Sequence, residues 1–411
     1  MTLTSQNFAA LMAAFAPFEP TPAIAIATSG GPDSMALALL AHAWAKAQGG
    51  KAIALTVDHK LREESTREAV QVKSWLEAHG MEHHILTWDR GEKDMPETAL
   101  QASAREARYH LLGQWCQAHG VKHLLTAHHA QDQLETFLIR LAKGSGLKGL
   151  TGIQGAVATA FGRTLRPLLT IDSAHLKVYL EKMNQPYIMD PSNENKDFAR
   201  IRWRQLTPSL VAEGLTPQSL QETLERLTHS QRLIDQSISR YIQEHVTLSP
   251  YGYASLDKEA LGESAEVLEE IVKRVLATIG TRDYPVRRQA LHRAMEAMQS
   301  SQSFTLGGCQ LIQKAKQYWI VRELAAVGDD IPINQQGTYL WDNRFTVEVP
   351  LDGRGRIAAL GEEGISQLSE EQKLPLKDVP HVVLQTLPAM WEGDEVVDPL
   401  PPLKFTPHFP L

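Results

Sequence analysis

Through the first half of the chain, short unbroken apolar runs alternate with apolar positions at helical spacing. "AIAIA" (23–27) leads into a helical pattern reaching about Trp44, and "KAIALTVDH" into "REESTREAVQVKSWLEAHG". "EHHILTW" leads into "ETALQASAREARYHLLGQWCQAHG", and "VKHLLTAHH" into "QDQLETFLIRLAKG". Gly49, Gly80, Gly120 and Gly144 stand where helices of this pattern end, as C-terminal caps do. Repeated strand–helix units of this length predict an α/β fold, a parallel sheet with helices on both faces. Ligands of such sheets bind beyond the carboxyl ends of the strands, where Ser29, Asp58 and the segment from His128 to Asp132 fall.

The pattern changes after about residue 205. Thr216 as N-cap and Pro217 at the first helical position open a long polar-faced helix, followed by helical runs at "ESAEVLEEIVKRVLATIG" and "RRQALHRAMEAM" and the strand-like "QLIQKAKQYWIVRE". This reads as a small mainly helical domain, 206–324. Residues 325–411 read as a short C-terminal β-containing module, whose last stretch, "DPLPPLKFTPHFP", is too rich in proline for regular structure.

A length of 411 residues fits two or three domains. Two distant cysteines, Cys116 and Cys309, build neither a disulfide framework nor a four-sulfur metal site, and a reducing cytoplasm fits them. "MTLTSQNFAALMAAF" carries no basic residue ahead of its apolar run, which argues against a secretory signal, and no apolar run reaches bilayer length. The net charge of −7 speaks against a nucleic-acid partner until it is resolved along the chain: −4 over 1–100, +6 over 101–205, −1 over 206–324 and −8 over 325–411. Basic charge is therefore concentrated where a phosphate backbone could use it, although segment-to-segment variation alone could give the same counts.

The candidate chemistry starts at "SGGPDS" (29–34). A strand that ends in Ser-Gly-Gly and turns into a helix offers backbone N–H groups and hydroxyls at the helix's positive end, a phosphate site. Ser29, Gly30, Gly31, Pro32 and Ser34 would form it, and Asp33 would repel phosphates there unless it holds magnesium. A Gly-Gly turn capping a helix is the plainer alternative. Neither the Walker A nor the dinucleotide glycine pattern is present. Asp132 and Glu135, three apart at a predicted helix start, face one way, with His128 and His129 just before them. From spacing alone they could bind an ammonium, ligate a metal, or be solvated surface with Arg108 as a salt-bridge partner. "KGSGLKGLTG", with Lys143 and Lys148, suits phosphate or ribose. Arg200, Arg202 and Arg204, with Trp203 between them, suit RNA phosphates and a stacked base, or form the charged face of a terminal helix.

"SGGPDS", with "VDHKLREES", "EARYHLL", "TAHHAQDQLETFLIRLAKGSGLKGL" and "DPSNENKDFARIRWR" in order, resembles the N-type ATP pyrophosphatases (PP-loop, adenine nucleotide alpha hydrolase-like). Among them the chain is most similar to the tRNA(Ile)-lysidine synthetases. The resemblance covers residues 23–205. It implies a cytoplasmic ligase that uses ATP and Mg2+ to adenylate the wobble cytidine of an isoleucine tRNA with a CAU anticodon. Free L-lysine then displaces AMP at ring position 2. It assigns catalysis to Asp33, Arg108, Asp132 and Glu135, with Asp33 also the magnesium ligand, and ATP binding to residues 29–34 and Asp58. The basic residues Lys143, Lys148, Arg200, Arg202 and Arg204 are expected on tRNA, and a homodimer is compatible with the sequence. Residues 1–205 would be the PP-loop catalytic domain, 206–324 a tRNA-binding or accessory domain and 325–411 the acidic module. Four positions depart from the family pattern: Gln131 replaces an expected Asp near the magnesium, Lys60 a usual Gly, Glu63 a usual Pro, and Ile201 an Asn. The alternatives are a cytidine thiolase, disfavoured by the absence of a CxxC pair, and a catalytically idle tRNA-binding relative.

Overall fold

The unbroken apolar run at 23–27 is a central strand, with neighbours on both sides. The computed structural model describes residues 3–60, 63–88, 97–189, 199–281, 286–351, 353–399 and 401–407. Its contacts divide the chain into two units, Met1–Gln231 and Arg232–Leu411.

In the first unit the elements run α1 (Ser5–Ala13), β1 (Ala23–Ala27), α2 (Pro32–Ala47), β2 (Lys51–Asp58), α3 (Glu63–Ala78), β3 (Glu82–Thr87), α4 (Glu97–Ala118) and β4 (His123–Leu125). They continue as α5 (Ala130–Ala142), α6 (Leu147–Leu150), β5 (Ala156–Thr159), β6 (Gly162–Leu165), α7 (Ser173–Lys182) and α8 (Ala199–Ala212). The described strands form one sheet in the order β3-β2-β1-β4-β6-β5, parallel except for the β5–β6 pair. The parallel α/β expectation is met, and the β5–β6 hairpin extends it. Gly162 starts β6 at φ +144°, where a Cβ would lie 2.3 Å from the Lys122 carbonyl oxygen.

Helices cover both faces. Helix α2 is apolar almost all round because β1 and β2, α1 and α7 all pack on it; Met35, Leu37 and Leu40 are fully buried. Burying each such side chain contributes about 1.5–3 kcal/mol. On the opposite face Leu112, Trp115 and Cys116 of α4 pack on Ala25, Ile53, Leu55 and Leu124. The chain leaves β1 toward β2 and β3 on one side, while β4 pairs on the other. The crevice between β1 and β4 is therefore the switch point of the sheet.

Helix α9 (Pro217–His245) contains the division between the units. In the second unit, β7 (Val246–Leu248), β8 (Ala254–Asp257), β9 (Phe304–Leu306), β10 (Cys309–Gln313) and β11 (Gln317–Arg322) form an antiparallel sheet. It packs with α10 (Ala265–Gly280) and α11 (Arg288–Gln299). The segment read as mainly helical thus carries a sheet as well. Its strands are of three to six residues, and the polar turns around them hide their alternation.

Further short strands follow: β12 (Ile331–Pro332), β13 (Gly337–Trp341), β14 (Phe345–Val349), β15 (Arg356–Ala359), β16 (Pro388–Glu392), β17 (Glu395–Asp398) and β18 (Leu403–Phe405). The last of these lies in the proline-rich stretch expected to lack regular structure, and pairs with β14 from Leu403 to Phe405, between the prolines. Buried Asp342 joins Arg322 and Arg344, which also donate to the carbonyls of Gly280, Ala326, Gly252 and Thr386.

Candidate active site

Beyond β1 the chain turns through Thr28-Ser29-Gly30-Gly31 into α2. Gly30 has φ +85°, and its carbonyl accepts from Ile188 N at 2.9 Å. A Cβ there would meet Val72 Cγ2 at 2.6 Å and Ile188 Cδ1 at 2.8 Å, so the position excludes any side chain on both grounds. Ser29 N donates to Ser34 Oγ (3.1 Å), and Ser34 Oγ donates to the Gly31 carbonyl (3.0 Å). Pro32 occupies the first turn, where its missing N–H costs nothing, and Asp33 follows it.

Across the crevice, β4 is followed by Thr126, His128 and His129. Asp132 Oδ2 accepts from His129 N (3.0 Å), which fixes the start of α5. His129 Nε2 lies 3.5 Å from both Asp33 Oδ2 and Asp132 Oδ2. This imidazole joins the residues after β1 to those after β4, a junction that sequence reasoning missed although the His-His pair at a strand end was visible. Burial lowers the His129 pKa, but the carboxylates of Asp33, Asp132 and Glu135 outweigh it and the net shift is upward. Its neighbour His128, bonded to Thr126 Oγ1 (3.0 Å), is pushed down to about 4 by burial and by Arg166, Arg105 and Arg200, against the pull of Asp132. The pKa values of two adjacent histidines are thus shifted in opposite directions.

Asp132 and Glu135 do share a helix face: Arg200 reaches both, at 3.9 Å from Asp132 Oδ1 and 3.1 Å from Glu135 Oε2. Arg204 Nε donates to Glu135 Oε1 at 2.8 Å. Glu135 is 1% exposed, while the two arginines are 44% and 49% exposed. The cause lies in packing, since Trp203 and Leu210 of α8 lie against Leu134 and Leu138 of α5 and Leu220 and Leu224 of α9. Trp203, expected to stack on a base, is packed into this apolar cluster. Arg200 and Arg204, expected on RNA, hold the carboxylate expected to receive an ammonium. Residues 190–198, the start of the matched segment "DPSNENKDFARIRWR", lie outside the described residues.

Arg108 is not on that cluster: among the described residues its hydrogen bonds go to His59 Nε2, from Nε and Nη2 at 3.3 Å each. Asp58 is buried and its carboxylate is engaged by Lys60 N (3.0 Å), Ser65 Oγ (2.8 Å) and Thr66 Oγ1 (2.6 Å), so it shapes the loop after β2. Within that loop Lys60 has φ +50°, the conformation glycine favours. Gln131 Oε1 accepts from Ser173 N (3.1 Å) at the start of α7, so the departure from the family's Asp is a link between helices. Gln133 bonds both N and O of Ile153, and Arg140 bonds the carbonyls of Gly149 and Gly152. These four bonds anchor the loop on which Lys143 and Lys148 are exposed.

A magnesium ion fits one feature of this site. Asp33 Oδ1 is buried without a hydrogen-bond partner among the described residues, an anionic oxygen available to a cation. No described group of three or more His, Cys, Asp or Glu side chains is arranged to hold a metal by itself. The remaining ligands would thus come from phosphate oxygens and water.

Residues 3–210 match the family model described as "PP-loop domain". A protein of Orientia tsutsugamushi named tRNA(Ile)-lysidine synthase is 35% identical over 83% of this chain and 78% of its own length. One of the same name from Ruegeria pomeroyi is 30% identical over 97% of this chain and 93% of its own. Among solved structures, a U34-tRNA thiolase of Methanococcus maripaludis aligns over 55% of this chain and 78% of its own, at a TM-score of 0.45 and 17% identity.

Proposed function

Because the chain belongs to the tRNA(Ile)-lysidine synthase family, we propose that it joins free L-lysine to the wobble cytidine of an isoleucine tRNA with a CAU anticodon. In the first step the cytidine's O2 attacks the α-phosphorus of ATP and pyrophosphate leaves. In the second, the lysine ε-amine attacks ring carbon 2, and O2 departs with AMP. The observation that carries this reading is the junction at the switch point, where the glycine loop's Asp33 and Asp132 of α5 meet through His129.

Residues 29–34 receive the triphosphate, and Asp33, through its free buried oxygen, would hold magnesium with it. Magnesium supplies charge neutralisation on the phosphates. Asp132 and Glu135 receive the lysine ammonium, whose ordinary pKa is about 10.4 and which must lose a proton before it attacks. Glu135 carries two guanidinium partners in this structure, so an incoming ammonium competes with them. Arg108, oriented by His59, faces the substrate carboxylate or the cytidine oxygen in this reading.

Lys143, Lys148, Arg200, Arg202 and Arg204 contact the tRNA. Residues 1–205 act as the catalytic domain, 206–324 as the accessory domain and 325–411 as the acidic module, in a cytoplasmic protein that can pair as a homodimer. No described helix is long and apolar enough to cross a membrane.

A thiolase reading has little support, because Cys116 and Cys309 are both buried and lie in different units. Mass analysis of the wobble nucleoside after incubation with ATP, lysine and the tRNA tests the proposal. A lysine-dependent mass gain on cytidine is expected; an unmodified nucleoside with ATP intact would refute it.

A further inference from the structure

Behind the glycine loop lies a buried chain of hydrogen bonds. His83 of β3, Thr56 of β2 and Thr28 at the exit of β1 are 4%, 6% and 3% exposed. Thr56 Oγ1 lies 2.8 Å from the Thr28 carbonyl oxygen and 2.8 Å from His83 Nε2.

A carbonyl only accepts, so the single hydroxyl proton of Thr56 goes to Thr28. The bond to His83 must then be donated by the imidazole. That places a proton on His83 Nε2, and Nδ1, buried without a hydrogen-bond partner among the described residues, fits the unprotonated nitrogen of the neutral Nε2–H tautomer. Burial also pushes this histidine's pKa down to about 4, so it is neutral at physiological pH.

The Thr28–Ser29 peptide is held at its other edge too, because Ser29 N donates to Ser34 Oγ and Ser34 Oγ to the Gly31 carbonyl. The chain therefore runs from β3 through β2 to the peptide that begins the loop, every proton having one direction. A peptide plane clamped at both edges sets the aim of the N–H groups that follow it.

We propose that His83 is a positioning residue of the ATP site: through Thr56 it sets the plane of the Thr28–Ser29 peptide and so aligns the glycine loop with the triphosphate. It touches no substrate. The inference rests on the reading that this loop binds ATP, and the two can fail separately.

The test measures ATP affinity by equilibrium dialysis and tRNA affinity by filter binding, on the full chain, for Thr56→Val, Thr56→Ser, His83→Leu and His83→Gln. Thr56→Val and His83→Leu should each weaken ATP binding about tenfold, the worth of one aligned hydrogen bond, with tRNA affinity unchanged. Thr56→Ser keeps the hydroxyl and His83→Gln keeps a donor at the Nε2 position, so both should recover most of it. The Thr56→Val/His83→Leu double variant should be little worse than Thr56→Val alone.

Unchanged ATP affinity in Thr56→Val and His83→Leu, with only a lower melting temperature, would overturn the proposal. An imidazole 15N spectrum showing His83 protonated at Nδ1 would overturn it as well. Should His83→Leu not fold, the near-isosteric Thr56→Val and Thr56→Ser pair decides. A wild-type chain that binds no ATP would instead remove the reading of the loop itself.

Discussion

Replacing Glu135 by Gln removes one negative charge from beneath two arginines and changes almost nothing in shape. In the native site that carboxylate, 1% exposed, accepts from Arg204 Nε at 2.8 Å and lies 3.1 Å from Arg200 Nε. A protected hydrogen bond to a charged group contributes about 1.5–3 kcal/mol. The guanidiniums are nearly half in solvent, which screens the attraction, so roughly half of that survives for the Arg204 bond, and the Arg200 contact, an ion pair without a hydrogen bond among the described residues, adds about 0.2–1 kcal/mol. An amide oxygen still accepts the Arg204 bond at neutral strength, and the net loss comes to about 1 kcal/mol. For a unit of this size the melting temperature should fall by about 2–4 °C. Differential scanning calorimetry of Glu135→Gln reads this directly, and Arg204→Ala should lose more, because it leaves the buried carboxylate without its Arg204 hydrogen bond. The same variant, assayed for adenylated tRNA against lysidine, should stall after adenylation or need more lysine, with ATP affinity little changed. An unaltered melting temperature would show that the clasp does not form in solution. Lost ATP binding with lysine affinity intact would move Glu135 to the nucleotide.

Gly30→Ala faces both the left-handed φ and the methyls of Val72 and Ile188, and should cost about 2–4 kcal/mol in urea denaturation; a loss below about 1 would mean that the loop relaxes freely. Asp33→Asn should slow tRNA-dependent pyrophosphate release a hundredfold or more, about 3 kcal/mol of transition-state stabilisation, in a folded protein. Activity retained at saturating magnesium would remove Asp33 from the metal. Because His83 has a folded pKa of about 4 against an ordinary 6.5, the unfolded chain takes up its proton first. Its effect on stability is absent above pH 6.5 and grows as pH falls toward 4, by roughly 1 kcal/mol per unit; a His83→Gln variant should lose that part of the acid sensitivity. Arg200→Ala and Arg204→Ala should flatten the salt dependence of tRNA binding, measured by filter binding from low to moderate salt, and unchanged slopes would move the contact surface elsewhere.

Much of the first unit was legible as pattern, because its central strands are buried on both faces and its helices are long. β1 to β4 are spelled by apolar runs, and "SGGPDS" announces a strand-to-helix phosphate turn by itself. Local rules also placed Asp132 and Glu135 on one helix face, since three residues span about one turn. The β5–β6 hairpin and the sheets of the second unit were not legible in this way. Their strands are short, and their stability comes from neighbours distant in the chain, as β18 does by pairing with β14.

Partnership was decided only by the tertiary structure. Sequence spacing allowed Arg108 to pair with Asp132 and left Arg200 and Arg204 for RNA. Packing of α8 on α5 brings the latter two onto Glu135, and Arg108 finds His59 beyond the neighbouring strand β2. Asp58 looks like a ligand from its place at a strand end, yet its oxygens are taken by its own loop. The order of the sheet sets Asp33 and Asp132 across one imidazole, 99 residues apart in the chain. Propensity and periodicity act over a few residues, so the sequence alone determines elements and their faces. Which charges meet depends on how those faces bury one another, and that is settled only when the whole sheet and its helices are assembled.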